Sequence, residues 1–274
     1  MTPQKTNNIE KNTNERLSVQ VSLTGLSFLV TNLITSEIDF IFEKQFENTL
    51  TPEEILDLII KITSDQKELQ HEFSEVIVIY ATNLYTVVPS SLFDETKASE
   101  YLKFNSKILA NDFIAYDTID PYQMTIVYVP FVNINNYFFD KYGSFQYYHS
   151  GTVLLKSILH HEKNSINIKV YLHILNDTFD IIIIKNNDLK LCNTHSYKTP
   201  EDFIYYILFT LEQLNLNPET IEIVLCGDIK EEDDIFKILY HYIRHISFFN
   251  PITPKMNSSD NELPHKNYLL KYVL

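Results

Sequence analysis

Two aspartates, Asp177 and Asp228, stand at the ends of β-branched stretches in the second half of this 274-residue chain. Brought together, such carboxylates could gather two metal ions and hydrolyse a phosphodiester. The plainer reading is a pair of solvated turn residues, since Asp is common in turns. The corresponding stretches of the first half, Val19–Leu23 and Val76–Tyr80, contain no Asp or Glu. His241 and His245 lie four apart in a stretch with helical periodicity, so both could face one metal ion. No Glu follows His241 and no third or fourth ligand is visible, so the pair also suits the end of a helix, where positive charge is favoured. His160-His161-Glu162 closes another expected helix in the same way. No Gly-x-Ser-x-Gly elbow offers a serine nucleophile. We therefore assign no catalytic residue and no metal site from these groups.

The bulk chemistry narrows the partners. Asp plus Glu number 36 against 22 Lys plus Arg, giving a net charge of −14. Arg16 and Arg244 are the two arginines, and no basic run appears. Neutralising a phosphate backbone needs clustered cations, so a nucleic-acid partner is not expected, nor is an anionic membrane surface. Met1 to Arg16 is polar and has no apolar core of the kind a signal peptide needs. Cys192 and Cys226 fall in expected strands and suit packed thiols in a reducing compartment, so a cytoplasmic location is expected.

The elements that position these groups are written twice. Residues 51–60 read Thr-Pro-Glu-Glu-Ile-Leu-Asp-Leu-Ile-Ile, and residues 199–208 read Thr-Pro-Glu-Asp-Phe-Ile-Tyr-Tyr-Ile-Leu. Thr caps a helix, Pro is pre-set for its first position, and the acids suit its positive end. Before the first start, Leu17–Leu23 and Leu26–Asn32 form an expected hairpin around Thr24-Gly25, and Glu37–Phe46 a third strand. Before the second, Ile166–Leu175 and Phe179–Lys185 flank the turn Asn176-Asp177-Thr178, and Leu189–Tyr197 follows. Val76–Ala81 and Ile221–Leu225 are the matching fourth strands, and Glu231–Arg244 is a further helix. Between the copies lie a strand around Met124–Val129 and helices near Val132–Tyr142 and Thr152–His161. The expected organisation is a disordered tail over residues 1–15, a first lobe with an insertion over 16–163, and a second lobe over 164–274.

Three antiparallel strands, a helix and a parallel fourth strand open a ribonuclease-H-like unit. Two tandem units of the βββαβα kind make an α/β, actin-like ATPase architecture. The motifs resemble that superfamily in part. Its second phosphate hairpin reads Asp-Leu-Gly-Gly-Gly-Thr-Phe-Asp in the chaperones, and His173-Ile174-Leu175-Asn176-Asp177-Thr178-Phe179-Asp180 is similar at its Thr-Phe-Asp end. His173 stands where an aspartate would, and Leu175, Asn176 and Asp177 replace glycines. Ser22-Leu23-Thr24, followed by Gly25, resembles the first hairpin, and Leu225-Cys226-Gly227-Asp228 the adenosine turn with its second glycine lost. The pattern and length resemble domain-of-unknown-function family 3822, bacterial proteins of actin-like ATPase fold. That resemblance implies a fold and supplies no catalytic residues.

The departures carry physical weight. Phosphate hairpins use glycine so that backbone N–H groups can approach oxygens, and this chain has four glycines in all. One unpaired like charge 4 Å from a phosphate costs about 4 kcal/mol at an effective dielectric near 20. The positions Ser22, Thr24, Gly25, His173, Asn176, Asp177, Thr178, Gly227 and Asp228 therefore read as a degenerate cleft, with no cofactor expected. The expected function is a non-catalytic binding or scaffold protein. An atypical ATP-binding ATPase or kinase-like protein and, more weakly, a metal-dependent nuclease stay open as alternatives. A protein partner is expected, first at the aromatic stretch Tyr137–Tyr148, with Tyr147 and Tyr148 its candidate contact residues, and second at the acidic run of Glu231 and Glu232. The run also suits a solvated first helical turn.

Overall fold

A computed structural model describes residues 14–104, 107–109, 111–250 and 265–272. The expected disordered tail lies outside the described residues up to residue 13, and Glu15 already opens the first strand. Strands β1 (Glu15–Val21), β2 (Gly25–Asn32) and β3 (Ile38–Gln45) form an antiparallel meander. Helix α1 (Pro52–Asp65) crosses over to β4 (Glu75–Tyr80), which runs parallel to β1. An excursion follows through β5 (Tyr85–Pro89), α2 (Ala98–Lys103), β6 (Ala115–Ile119) and β7 (Met124–Tyr128). Helix α3 (Val132–Tyr142) then leads to β8 (Gln146–His149), parallel to β4, and to α4 (Ser150–His161).

The second half repeats this order without the excursion. It runs β9 (Ile168–Ile174), β10 (Thr178–Lys185), β11 (Asp188–Ser196), α5 (Pro200–Gln213), β12 (Glu222–Gly227), α6 (Asp234–Tyr242), β13 (His245–Phe248) and α7 (Tyr268–Lys271). The two large sheets have the orders β3-β2-β1-β4-β8 and β11-β10-β9-β12-β13, which are the same order. The third strand of each sheet carries a bulge at an equivalent place: Asp39 of β3 is the extra residue opposite Val30 and Thr31, and Lys190 of β11 the extra residue opposite Ile183 and Ile184. Thr51 and Thr199 each complete a reciprocal capping box, with Glu54 and Asp202. Such caps are worth about 1 kcal/mol each.

Packing explains why β10 reads Thr-Phe-Asp followed by four isoleucines. Ile181 and Ile183 bury against Phe203, Ile207 and Leu211 of α5 and Leu239 of α6. Ile182 and Ile184 point the other way, into a cluster with Leu17, Val19, Leu155, Ile158, Tyr268 and Leu270. A strand covered on both faces has no reason to alternate with polar residues. That second cluster holds residues of both sheets, so one continuous apolar core joins the lobes. Helix α7 follows the second sheet in the chain but packs on β1 and β2 of the first. The excursion forms a three-stranded antiparallel sheet, β5-β7-β6, with its own small core of Val88, Ala98, Leu102, Val127 and Val129.

Some expectations shift. Helix α6 is shorter than Glu231–Arg244: Glu231 and Glu232 lie in the turn before it, and Ile243 is already extended. His241 therefore lies in the last turn of the helix while His245 opens β13, so the two histidines do not share a helix face. Helix α4 starts at Ser150, two residues early, because the His149 ring accepts the Gly151 N–H. Both cysteines are free, in β11 and β12. Among the described residues no helix is long and apolar enough to cross a membrane.

Candidate functional site

The hairpin tips that would face phosphates in an actin-like cleft meet each other. Ser22 N–H bonds to the Gly25 carbonyl at 3.0 Å, and Leu175 N–H to the Thr178 carbonyl at 2.9 Å, closing two equivalent turns. The same displacement of 153 positions relates Thr24 to Asp177, and the Thr24 hydroxyl donates to Asp177 Oδ1 at 2.9 Å. Gly25 has no positive φ, and a Cβ there would meet only ordinary contacts, so its backbone freedom is unused. The cavity beside this contact holds about 220 Å³ and is lined by Ser22, Thr24, Asp177, Thr178, Asp180 and Thr194 among others. Ligand pockets for drug-sized molecules run from about 300 to 1,000 Å³.

His173, standing in for an aspartate, is buried with its Nδ1 3.0 Å from Asp180 Oδ2. The Thr194 hydroxyl lies 2.5 Å from the other Asp180 oxygen and 3.1 Å from the Tyr85 hydroxyl. Tyr85 also touches Cys192 Sγ at 3.4 Å, and its ring lies 4.2 Å from that of His149. Gly151 N–H points at His149 Nδ1, so Nε2 carries the proton and donates to the Thr82 carbonyl at 2.9 Å. Asp117 accepts from the His149 N–H at 2.9 Å, from Thr152 at 2.6 Å and from Tyr128 at 3.1 Å. One buried polar chain thus runs from the inserted sheet through α4 to the second lobe.

Burial sets the electrostatics of this chain. It pushes the Cys192 thiol up to about 12 and the Tyr85 phenol well above its ordinary value. It pushes the His149 imidazole down to about 4 and raises the Asp117 carboxyl. A protonated thiol is a poor nucleophile and a neutral imidazole this desolvated is a poor base at pH 7. The arrangement locks elements together and is badly matched to proton transfer.

The third motif surrounds Gly227, whose φ is +91°. Its N–H bonds to the His265 carbonyl at 3.0 Å, and Asp228 N–H to the Ile174 carbonyl at 2.8 Å. The His265 ring stacks on Phe248 at 4.4 Å and lies 2.9 Å from the Ile229 carbonyl through Nε2. The segment leading into α7 therefore covers the turn that would meet an adenosine. Asp228 accepts from Gln45 Nε2 at 3.3 Å, its carboxyl raised chiefly by burial. Lys266 pairs with Glu43 at 2.7 Å. Outside these contacts lies a cleft of about 610 Å³ that includes Asn176, Tyr197, Asp228, Lys230 and Lys266. Tyr197 is pushed up to about 12, first by burial and then by the negative charges of Asp177, Asp228 and Asp233. Asp177 and Asp228 each take a partner from the first lobe, Thr24 or Gln45. Among the described residues no group of three or more His, Cys, Asp or Glu converges as metal ligands would.

The expected partner surfaces lie elsewhere. Tyr147 and Tyr148 sit on β8, an edge strand, and both are half-buried. Tyr147 packs beside Tyr80 and Phe145, and Lys156 lies over the Tyr148 ring at 5.6 Å. Glu231 and Glu232 are exposed. The residues that sequence reasoning missed are Tyr85, Asp117 and His149. They lie far apart in the chain, and only the docking of the inserted sheet brings them together.

Fold and cleft define this molecule as a duplicated ribonuclease-H-like protein of actin-like ATPase fold. The chain belongs to the family described as protein of unknown function (DUF3822), whose profile matches residues 4–246. A crystal structure from Bacteroides thetaiotaomicron VPI-5482, a protein with actin-like ATPase fold and unknown function, is similar with a TM-score of 0.77 and 23% identity. The similarity covers 88% of this chain and 93% of that one. The PilM-PilN type IV pilus biogenesis complex is similar with a TM-score of 0.58 and 10% identity, over 86% of this chain and 88% of that one. No curated protein matches the chain.

Proposed function

We propose that this protein is a non-catalytic binding or scaffold protein, working in the cytoplasm through a protein partner and needing no cofactor. The observation that carries this reading is the hydrogen bond between the two hairpin tips, Thr24 to Asp177. A triphosphate entering there must break that contact and sit against the carboxylates of Asp177 and Asp180. Asp177 then loses its Thr24 donor, and one unpaired carboxylate 4 Å from a phosphate opposes it by about 4 kcal/mol at an effective dielectric near 20. The His173–Asp180 pair and the His265 contact at Gly227 support the same reading. The half-buried Tyr147 and Tyr148 and the exposed acidic turn at Glu231 and Glu232 are the partner surfaces suggested by the sequence. The similar chain of the PilM-PilN type IV pilus biogenesis complex belongs to an assembly with a protein partner, and this supports a binding role by analogy of fold alone.

Isothermal titration with Mg-ATP tests the proposal. No saturable heat is expected at millimolar nucleotide. A micromolar dissociation constant would overturn it in favour of an atypical nucleotide-binding protein. That rival would use the 610 Å³ cleft, where Lys230 and Lys266 border the Gly227 turn.

A further inference from the structure

The duplication supplies an internal control for surface residues. Helices α1 and α5 start with the same capping box and bury equivalent positions: Ile55, Ile59 and Ile62 in one, Phe203, Ile207 and Thr210 in the other. Two exposed positions differ in kind. Where α1 carries Asp57 and Lys61, α5 carries Tyr205 and Phe209. Tyr205 is 60% exposed and Phe209 47%, and their rings stack at 6.1 Å along the helix. The fold is satisfied by polar residues there, so packing does not explain the aromatics.

The surroundings specify what would cover them. Exposed Glu201 and Asp202 lie one turn before Tyr205, and exposed Glu212 follows Phe209. Helix α5 contains no Lys, Arg or His. An aromatic pair between acidic ends attracts cations twice, through carboxylates and through the ring faces. A second copy of a chain with net charge −14 would bring like charge to the same face. An anionic membrane is repelled for the same reason. We infer that the outer face of α5, centred on Tyr205 and Phe209, docks a basic amphipathic helix of a partner protein. Its apolar side covers the two rings and its flanking Arg or Lys reach Glu201 and Glu212. This goes beyond the proposed function by naming surface and partner chemistry, and its test involves no nucleotide.

The probe is a fluorescent synthetic peptide of about 18 residues, with Leu and Phe on one helical face and Arg flanking them. A control peptide carries Glu in place of Arg. The full chain is expected to bind the Arg peptide saturably and more weakly as salt rises, and not to bind the Glu peptide. Exchanging the pair for the residues α1 uses, Tyr205→Asp with Phe209→Lys, leaves net charge unchanged. It should weaken binding at least about tenfold with the thermal midpoint preserved. If that variant fails to fold, Glu201→Lys with Glu212→Lys keeps the rings and should lose at least about tenfold at low salt. Absent binding of the Arg peptide, equal binding of the Glu peptide, or undiminished binding by the folded variants overturns the inference. So does a dimer of the parent chain that Tyr205→Asp with Phe209→Lys dissolves, because the occupant would then be a second copy.

Discussion

Gly227→Ala is expected to destabilise the protein by more than about 4 kcal/mol, lowering its thermal midpoint by about 10 °C or more. A Cβ at this position would lie 2.1 Å from the Ile174 carbonyl oxygen and 2.9 Å from the Ile174 nitrogen. Both are backbone atoms of β9, the central strand of its sheet. That strand is paired on both sides and cannot retreat without tearing its ladders. The φ of +91° adds strain for any residue with a side chain. Gly25→Ala is the control, since its φ is ordinary and its Cβ would have no contact closer than 3.5 Å. Calorimetry on the two variants decides the matter. A Gly227→Ala midpoint within about 2 °C of the parent would show that the turn relaxes and the argument fails.

Stability should also fall as the solution is acidified, with His149 the largest single cause. In the unfolded chain its imidazole titrates near the ordinary value of about 6.5. In the fold burial holds it down to about 4, against weaker upward pulls from the Thr82 carbonyl and Asp180. Between those values the unfolded state takes up a proton that the folded state refuses. Stability present above pH ~6.5 is therefore lost towards pH ~4, by about 3 kcal/mol in total. Protonation would also aim a second N–H at the Gly151 N–H, which now donates to Nδ1. His195 and His265, also lowered by burial, act in the same sense. The raised carboxyls of Asp117 and Asp228 act in the opposite sense once they protonate. Urea unfolding from pH 7 to pH 4 should give a shallower decline for His149→Gln than for the parent. Parallel declines would remove His149 as the cause.

Much of the fold was legible because its signals are local. Thr51 and Thr199 spell their caps with Pro and an acid three residues on, and both boxes form. The turns at Thr24 and Asp177 separate β-branched runs, and the paired strands follow. The shorter pieces were not legible. Strands β8 and β13 have four residues each, and their partners lie far away in sequence. The polar chain at Tyr85, His149 and Asp117 depends on where the inserted sheet docks. Nothing within a few residues of Tyr85 records that it will meet Cys192 and Thr194, 107 and 109 positions on. The cleft residues were legible as departures from glycine and aspartate, but not their contacts with each other.

The two-faced burial of β10 has a consequence for how the chain can be divided. Residues 163–167 link the halves and include Ile166, which is 80% exposed, so a protease can reach the link. Cutting there frees nothing, because Ile182 and Ile184 of one piece stay in the same apolar core as Leu17, Val19 and Leu155 of the other, and α7 stays packed on β1 and β2. A nicked molecule would run as two bands in detergent and elute as one particle in native buffer. Each half alone would carry a raw apolar face into water. Expressed separately, the halves would aggregate; expressed together, they would rebuild the whole by complementation.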